Sequence, residues 1–411
     1  MVYGTGYGAL GRAMMPIDIA VAGCGPAGLA AALLLARDGH RVTIFERFET
    51  PQPVGSGLML QPTGLAVLRM LGLDRMLIER GSQIAHLFGQ NARQRTVLDV
   101  HYAALRRTGA FGVGIHRASL FDALHQAAVA AAIPIETGRS ICETEQSGGK
   151  RWLRFEDDSR SGPFDLVVDA LGTRTPLAPP TGRALAYGAL WASLDCPPEA
   201  GFRRDTLAQR YRRASVMAGV LPIGTPPGAA SPKIAFFWSL RADQLAAWQG
   251  AGLDAWKSDV TALWPATAAL LDQIDRPERL TFAAYAHRTL PRPAETALIH
   301  IGDAWHSASP QLGQGANMAL LDAYGVSLGL RAERSVADAL AHAVSLRRRH
   351  VHLYQRMSGL FTPVYQSDSH VIPFVRDTIV GPMSKLWPAT WIQAAMVSGL
   401  IGGPLRPLGL A

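Results

Sequence analysis

Residues 302–317, with the sequence GDAWHSASPQLGQGAN, decide how this chain is expected to fold. They join an apolar run, Ala297 to Ile301, which predicts a β-strand, to an amphipathic run from Ala316 onward, which predicts a helix. Such a junction directs backbone N–H groups and the positive end of a helix at an electron-rich ligand. Asp303, at the end of the strand, can accept hydrogen bonds from the hydroxyl groups of a sugar-like chain.

A second glycine-rich junction, near the N-terminus, indicates the kind of ligand. The apolar residues 17–22 predict a strand that runs into G-x-G-x-x-G and then into an Ala/Leu-rich helix. Gly23 permits the tight turn, Gly25 lets the backbone approach a pyrophosphate, and Gly28 lets helix and strand pack closely. The next predicted strand ends at Glu46, where an acid binds a ribose 2′-hydroxyl. The pattern therefore predicts a dinucleotide-binding βαβ unit.

The composition indicates a soluble globular protein of two or three domains. The chain has 411 residues, of which 48% are hydrophobic and 18% are charged, and these values exclude a disordered chain. The formal net charge of +8 is carried almost wholly by arginine. Because no basic run is interleaved with aromatic residues, we expect no binding to nucleic acid.

Cysteine usage and hydropathy predict the compartment. Cys24, Cys142 and Cys196 have neither metal-site nor disulfide spacing, which predicts a cytoplasmic protein without a metal site. No apolar stretch reaches transmembrane length, so we expect no membrane contact. Residues 1–15 are rich in Gly and Tyr, lack an apolar signal-peptide core, and are predicted to form a disordered extension.

The order of predicted elements divides the remaining chain into three parts. Strands between residues 133 and 168 are expected to return to the first sheet, after a helix for which Ser119 is the predicted N-cap. A further strand is predicted from Leu280 to His287. The predicted parts are a discontinuous nucleotide-binding domain (16–80, 101–180 and 288–335), a domain inserted into it (81–100 and 181–287), and a C-terminal helical region (336–411).

Together these motifs resemble the single-component FAD-dependent aromatic hydroxylases, the class A flavoprotein monooxygenases. The resemblance rests on three matches in chain order: the N-terminal glycine motif with Glu46, then Arg117, then residues 302–317. The C-terminal half is most similar to the salicylate- and ubiquinone-hydroxylase-like branch. The resemblance implies an α/β fold: a Rossmann-like FAD-binding domain, an inserted mixed β-sheet substrate domain and C-terminal helices.

The resemblance also implies an FAD site. In it, Asp303 would bind the ribityl hydroxyl groups, Arg117 would reach the pyrophosphate, and Pro310 would lie against the flavin ring. The helix that follows would stabilise negative charge on the reduced flavin. The cofactor-binding residues implied are Gly23, Gly25, Pro26, Ala27, Gly28, Glu46, Arg47, Arg117, Asp169, Gly172, Asp303, Pro310, Gly313, Gln314, Gly315, Ala316 and Asn317.

The activity implied is hydroxylation of an aromatic or polyketide-like small molecule with O2 through a flavin hydroperoxide, with electrons from NADPH or NADH. The enzyme would be a monomer or a homodimer. Pro310 would lie beside the flavin carbon that takes up oxygen. Tyr285 and His287 share one face of their predicted strand by its period of two, and are candidates to orient or deprotonate a phenol. A histidine near its working pKa suits that proton transfer.

One motif departs from the family. Where the family carries Gly-Ala-Asp-Gly, residues 168–175 read VDALGTRT, so that Leu171 occupies the position of the usual Asp and Asp169 precedes it. This phrase resembles the Asp-Ala-x-Gly of flavin-dependent reductases. Two alternatives therefore stay open: a reductase or dehydrogenase of that kind, and a monooxygenase that receives electrons from a separate reductase. A flavin-binding accessory subunit without turnover is a third.

Overall fold

The structure is a computed structural model that describes residues 14–52, 55–107, 109–197 and 200–411. Most of the predicted N-terminal extension, residues 1–13, lies outside these ranges. The β-strands, numbered in chain order, are β1 Asp18–Ala22, β2 Arg41–Phe45, β3 Gly57–Leu60, β4 Ser82–Ile84, β5 His86–Asn91, β6 Thr96–His101, β7 Gly112–His116, β8 Ile135–Glu136, β9 Ile141–Ser147, β10 Lys150–Phe155, β11 Arg160–Phe164, β12 Leu166–Asp169, β13 Arg183–Ala184, β14 Tyr187–Asp195, β15 Thr206–Arg212, β16 Val216–Gly224, β17 Lys233–Arg241, β18 Thr281–Ala283, β19 Ala286–Thr289, β20 Ala294–Glu295, β21 Leu298–His300 and β22 His306–Ser307.

Helices connect and cover these strands. The α-helices are α1 Pro26–Arg37, α2 Pro62–Met70, α3 Asp74–Arg80, α4 Arg117–Ala130, α5 Leu245–Ala251, α6 Leu253–Leu263, α7 Ala268–Leu271, α8 Gly315–Ala332, α9 Val336–Tyr365, α10 Val371–Val375, α11 Gly381–Met383 and α12 Ala389–Val397.

A six-stranded sheet carries both glycine-rich junctions. Its order is β20-β21-β12-β1-β2-β8, and β1 lies inside it, parallel to both β2 and β12. Ile19 and Val21 of β1 pack into the main core with the leucines of α1, while Ala20 and Ala22 pack on the opposite side with Phe45. Because both faces are covered, the strand reads as a continuous apolar run rather than an alternating one. This is the predicted Rossmann-like unit.

A separate three-stranded antiparallel sheet, β11-β10-β9, covers one face of the six-stranded sheet. The prediction that strands between residues 133 and 168 return to the first sheet is correct for β8 and β12 and wrong for these three. Burial alternates along β10, where Arg151, Leu153 and Phe155 are buried and their neighbours are not. That alternation is typical of a strand covered on one face only.

A seven-stranded sheet forms the second large layer. Its order is β18-β14-β17-β16-β15-β5-β6; the β15–β5 pair is parallel and the other pairs are antiparallel, so the sheet is mixed, as predicted. On one face Phe236 and Trp238 pack against Trp256 of α6. We call the opposite face the inner face. It carries Trp191, Phe237, Leu221, Gln209 and Tyr211, and its Leu221 packs with Met59 of β3.

The C-terminal region runs along the first domain and then back across the second. Helix α9 packs beside α8, and Arg347 and His350, at the two ends of its basic run, are buried. After α9, the Arg376 guanidinium lies over the rings of Tyr211 and Tyr365 and closes the edge of the inner face. None of the helices in the described ranges combines the length and the apolar character needed to span a bilayer.

Gly219 of β16 provides a test of this packing. A Cβ atom at Gly219 would lie 1.9 Å from the Phe237 ring, so that the ring can lie flat on the inner face only if residue 219 has no side chain. We expect Gly219→Ala to lower the free energy of unfolding by about 1–3 kcal/mol, the usual effect of overpacking a core. Urea unfolding measures the change.

Gly250→Ala is the matched control, because Gly250 is exposed in α5 and a Cβ there meets no atom within 4 Å. Alanine at that position should stabilise the helix by up to about 1 kcal/mol. Identical urea midpoints for the two variants would contradict the described contact between Gly219 and Phe237.

Candidate active site

The N-terminal glycine motif forms a tight turn with open space in front of it. Gly23 has φ +104°, and a Cβ at Gly28 would lie 2.0 Å from the Gly23 carbonyl oxygen, so neither position accepts a side chain. A Cβ at Gly25 would meet nothing within 4 Å. The first helical hydrogen bond, from Leu29 N–H to the Gly25 carbonyl, is 2.9 Å long, so the preceding N–H groups of Ala27 and Gly28 have no helical acceptor. Pro26, at the first helical position, has no N–H to satisfy.

Glu46 lies directly beside this turn, as the motif requires. Its carboxylate accepts hydrogen bonds from Cys24 N–H at 2.9 Å and from Phe48 N–H at 3.1 Å. The carboxylate is therefore fixed at the end of β2, where it remains partly exposed. Arg47 is exposed, and its guanidinium lies 4.6 Å from the centre of the Phe48 ring.

The altered motif after β12 packs onto the same turn. A Cβ at Gly23 would lie 2.8 Å from the Ala170 carbonyl oxygen, and Gly172, with φ +84°, faces open space. Asp169 is fully buried, and its carboxylate accepts from Leu171 N–H, Thr175 Oγ1 and His300 Nδ1 at 2.9, 2.7 and 2.6 Å. Since the Asp169 side chain holds the loop and does not reach the cleft, we reassign it from cofactor ligand to loop support.

Residues 302–317 meet the N-terminal turn at Gly302. Gly302 has φ +57°, and a Cβ there would lie 3.3 Å from the Cβ of Ala27 and 3.1 Å from that of Ala319. The segment 302–317 and the N-terminal glycine motif are therefore in contact. Asp303 follows at this contact. Its side chain is accessible to solvent, but the surrounding protein desolvates the carboxyl group and raises its pKa. The charges of His306 and Arg117 lower this pKa, and desolvation is the larger effect. Protein groups therefore surround Asp303 on several sides while its side chain stays open to solvent.

The start of α8 presents backbone donors to the same cleft. Its first hydrogen bond runs from Met318 N–H to the Gln314 carbonyl at 2.9 Å, so the N–H groups of Gly315, Ala316 and Asn317 precede the helical ladder. Gly315 is exposed, and a Cβ there would meet nothing within 4 Å. These donors and the positive end of the helix favour a negatively charged or electron-rich ring edge.

Two side chains predicted to bind the cofactor instead support the segment. Gln314 donates from Nε2 to the Val397 carbonyl at 2.5 Å, which ties the start of α8 to the C-terminal region. Asn317 is fully buried; it accepts from Gln61 N–H at 2.7 Å and donates to the Met59 carbonyl at 3.0 Å. The Asn317 side chain thus has its hydrogen bonds within the protein, whereas the buried Gln314 Oε1 has no partner in the described ranges. Gly313, with φ +60°, makes the left-handed turn between Pro310 and α8.

Asp322 is the residue that sequence reasoning missed. Its buried carboxylate accepts from Gly302 N–H at 3.0 Å, from His306 Nε2 at 2.6 Å and from Arg347 Nε at 2.8 Å. Burial alone would raise the pKa of Asp322, but His306 and Arg347 hold it below its ordinary value. A carboxylate in the apolar run of a predicted helix is the signal that could have pointed to this network. Trp305, which precedes His306, is buried in the main core.

Comparison with known proteins also indicates an FAD-binding enzyme. A family model described as an FAD binding domain matches residues 16–168. A putative 2-heptyl-3-hydroxy-4(1H)-quinolone synthase from Rhodococcus erythropolis is 28% identical over 80% of this chain and 83% of its own length. An aurachin C monooxygenase/isomerase from Stigmatella aurantiaca is 24% identical over 90% of this chain and 95% of its own. The structure of Klebsiella pneumoniae HpxO complexed with FAD and uric acid shares the fold, with a TM-score of 0.79 and 18% identity over 95% of this chain and 98% of that one.

The chain is an FAD-dependent monooxygenase, similar to those of class A. The geometry of its cleft fits the cofactor at both ends. Two helix starts have N–H groups that precede the helical ladder, beside open space at Gly25 and Gly315, and the carboxylates of Glu46 and Asp303 would be acceptors for hydroxyl groups of FAD.

In the monooxygenase, Arg117 stands between the cofactor side and the second domain. It begins α4, whose N-cap is His116 and not the predicted Ser119, because His116 Nδ1 accepts from Ala118 N–H at 3.0 Å. The exposed Arg117 side chain packs on Gly55, where a Cβ would lie 2.9 Å from Cδ. Its charge lowers the pKa of both Asp303 and Tyr285, although burial dominates and raises both.

The structure separates the two predicted catalytic side chains. The single strand predicted from Leu280 to His287 is wrong: β18 belongs to the seven-stranded sheet, β19 pairs with β13 and β22, and Tyr285 lies in the break between them. The Tyr285 hydroxyl oxygen accepts from Trp191 Nε1 at 3.0 Å. His287 instead faces α9, where its Nε2 lies 3.5 Å from Thr362 Oγ1.

His287 connects through α9 to the residue before Pro310. Thr362 Oγ1 lies 2.7 Å from Ser309 Oγ, and the exposed Pro310 begins the single turn that leads to α8. Burial, with a contribution from Arg183, lowers the pKa of His287, so that the ring is neutral at neutral pH. The chain from His287 to Ser309 is the structural link between this imidazole and the Pro310 turn.

Mutation of Asp303 tests its expected role in binding FAD. Because burial raises the pKa of Asp303, its ionised form opposes folding of the apoprotein; this effect is absent at acid pH and grows as the pH rises from the unfolded-state pKa through the folded-state value. Asp303→Asn should therefore leave the apoprotein at least as stable at pH 7. Loss of a charged acceptor should weaken FAD binding by about tenfold to a hundredfold.

Fluorescence titration of apoprotein with FAD, together with thermal unfolding, measures both quantities. Asp254→Asn, at an exposed position in the first turn of α6, is the control. Equal FAD dissociation constants for the two variants would contradict the assignment of Asp303 to the cofactor.

Proposed function

We propose that this monooxygenase hydroxylates a planar aromatic or polyketide-like small molecule with O2, and that NADPH or NADH donates the electrons. One oxygen atom of O2 enters the product as a hydroxyl group, and the other leaves as water with the two electrons of the nicotinamide. The observation that carries the proposal is the aromatic wall around Tyr285, on the side of the second domain reached by Arg117.

This wall consists of three aromatic side chains in contact. Trp191 and Phe237 face each other across β14 and β17 with ring centres 4.7 Å apart, and Trp191 donates to the Tyr285 hydroxyl. All three belong to the inner face or its edge, opposite the face that packs on α6. Flat apolar walls with few polar groups are typical of pockets for planar ligands.

The Tyr285 hydroxyl is the hydrogen-bonding group of the aromatic wall that can orient a ligand. Its hydroxyl oxygen accepts from Trp191, so its own O–H remains available to a ligand oxygen. Burial raises the pKa of Tyr285 to about 12, and the hydroxyl is therefore protonated at neutral pH. We assign Tyr285 to orientation of the substrate by hydrogen-bond donation, and not to proton abstraction.

His287 is the better candidate for accepting the phenol proton. Its lowered pKa keeps the imidazole neutral, and its hydroxyl neighbours Thr362 and Ser309 lead toward the Pro310 turn. A neutral imidazole can take a proton that a phenol must lose to become electron-rich. Bound FAD would supply the electrophilic oxygen atom from O2 and accept hydride from the nicotinamide.

The route of electron supply distinguishes this proposal from its alternatives. Leu171 replaces the usual Asp of the family motif, but the loop keeps its hydrogen bonds. The buried Asp169 carboxylate accepts from Leu171 N–H and from Thr175 Oγ1. We therefore expect direct reduction by a nicotinamide. Anaerobic mixing of the holoenzyme with NADPH or NADH should bleach the flavin absorbance, faster when a substrate phenol or quinolone is present. Absence of bleaching with both nucleotides, with turnover restored by an added reductase, would contradict direct reduction.

Tyr285→Phe tests the orientation role. Loss of one buried hydrogen bond to substrate should raise KM or lower kcat/KM roughly tenfold. A substrate that is held less firmly should also lower the yield of product per NADPH consumed. Product analysis and oxygen consumption measure this yield while FAD content stays constant.

Tyr354→Phe is the matched control, because Tyr354 is buried in α9 and donates to the Met396 carbonyl at 3.0 Å. That variant should retain the wild-type yield. An unchanged product yield in Tyr285→Phe would contradict the proposed role of Tyr285 in orienting the substrate.

A further inference from the structure

A cluster of two imidazoles and one carboxylate lies on the β5–β6 hairpin, at the edge of the seven-stranded sheet. His86 of β5 pairs directly with His101 of β6 in the antiparallel register. Asp99 precedes His101 by two residues, so the strand places both side chains on one face. Leu87, with the opposite orientation, packs with Met59 and Leu221 on the inner-face side. The cluster therefore lies on the other face of the sheet from the aromatic wall.

The three side chains converge on one point. His86 Nε2 and His101 Nε2 lie 2.8 and 3.2 Å from the same carboxylate oxygen, Asp99 Oδ1. The imidazole rings stack with their centres 3.9 Å apart and an interplanar angle of 12°. One atom from each residue lies within 4.8 Å of the others.

These separations are close to those of a tetrahedral metal site. Bonds of about 2.0–2.1 Å to nitrogen or oxygen place neighbouring ligand atoms roughly 3.3 Å apart. The two observed nitrogen-to-oxygen distances differ from that value by a few tenths of an ångström, so small rotations of the rings suffice. The His101 side chain is 57% exposed, which leaves room for water in the remaining coordination positions.

We propose that His86, Asp99 and His101 form a binding site for a divalent transition-metal ion, with Zn²⁺, Ni²⁺ and Cu²⁺ as the ions of matching ligand preference. Two imidazoles with one carboxylate suit these ions, whereas Mg²⁺ and Ca²⁺ prefer all-oxygen sites. A bound ion links β5 to the edge strand β6 and is separate from the flavin cleft. The spacing of the cysteines predicts a protein without a metal site, and this proposal differs from that prediction.

Calorimetric titration of the FAD-loaded full chain with Zn²⁺, after treatment with a chelator, tests the proposal. We expect one ion per chain. His86→Ala and His101→Ala should each weaken Zn²⁺ binding by at least about tenfold, since loss of a group that only supports a ligand already has an effect of that size. A rise in Tm with added Zn²⁺ should be present in the wild type and absent in both variants.

His342→Ala is the control, because His342 also hydrogen-bonds a carboxylate, Glu333 at 3.0 Å, on another part of the surface. It should keep the wild-type affinity. FAD content reports that each variant is folded. Equal Zn²⁺ affinity in His101→Ala and His342→Ala, or no saturable binding to the wild type, would overturn the proposal.

Discussion

The buried carboxylate of Asp322 is the constraint on which the cofactor cleft depends. A buried charge costs several kcal/mol unless partners compensate it. Here the compensation comes from three places in the chain: the Gly302 backbone, the His306 ring and the Arg347 guanidinium. One side chain thus fixes the turn after β21, the start of the Pro310 segment and the packing of α9 on α8. Removal of the His306 or Arg347 side chain would leave the buried carboxylate with fewer donors and less compensating charge.

Asp303 and Asp322 show how environment separates structural from functional carboxylates. Both are desolvated, but Asp322 has cationic and N–H partners that lower its pKa, whereas burial prevails at Asp303 and raises its pKa. A carboxyl group whose ionised form opposes folding of the apoprotein, and whose side chain a ligand can still reach, is a candidate ligand-binding group. The same contrast holds between Asp169, whose contacts are all within the protein, and Glu46, which stays partly exposed beside the glycine turn.

The backbone of the cleft could be predicted from sequence because glycines and helix starts obey local rules. Gly23, Gly28 and Gly302 lie where the motifs place them, and the tight contacts at Gly23 and Gly28 explain why the motif requires glycine there. Side-chain roles were harder to predict, because they depend on distant partners. Gln314 meets Val397 and His287 meets Thr362, contacts that no local pattern encodes. The break at Tyr285 and the burial of Arg347 likewise arise from neighbouring elements and not from periodicity.

The flavin content of the purified protein tests the central claim most directly. We expect a yellow protein that releases one equivalent of intact FAD on denaturation, since the Gly23 turn and Glu46 would bind the half of FAD that FMN lacks. Absorbance spectroscopy with chromatography of the released flavin measures identity and stoichiometry. A protein that takes up no flavin on reconstitution, or binds FMN as tightly as FAD, would contradict the account.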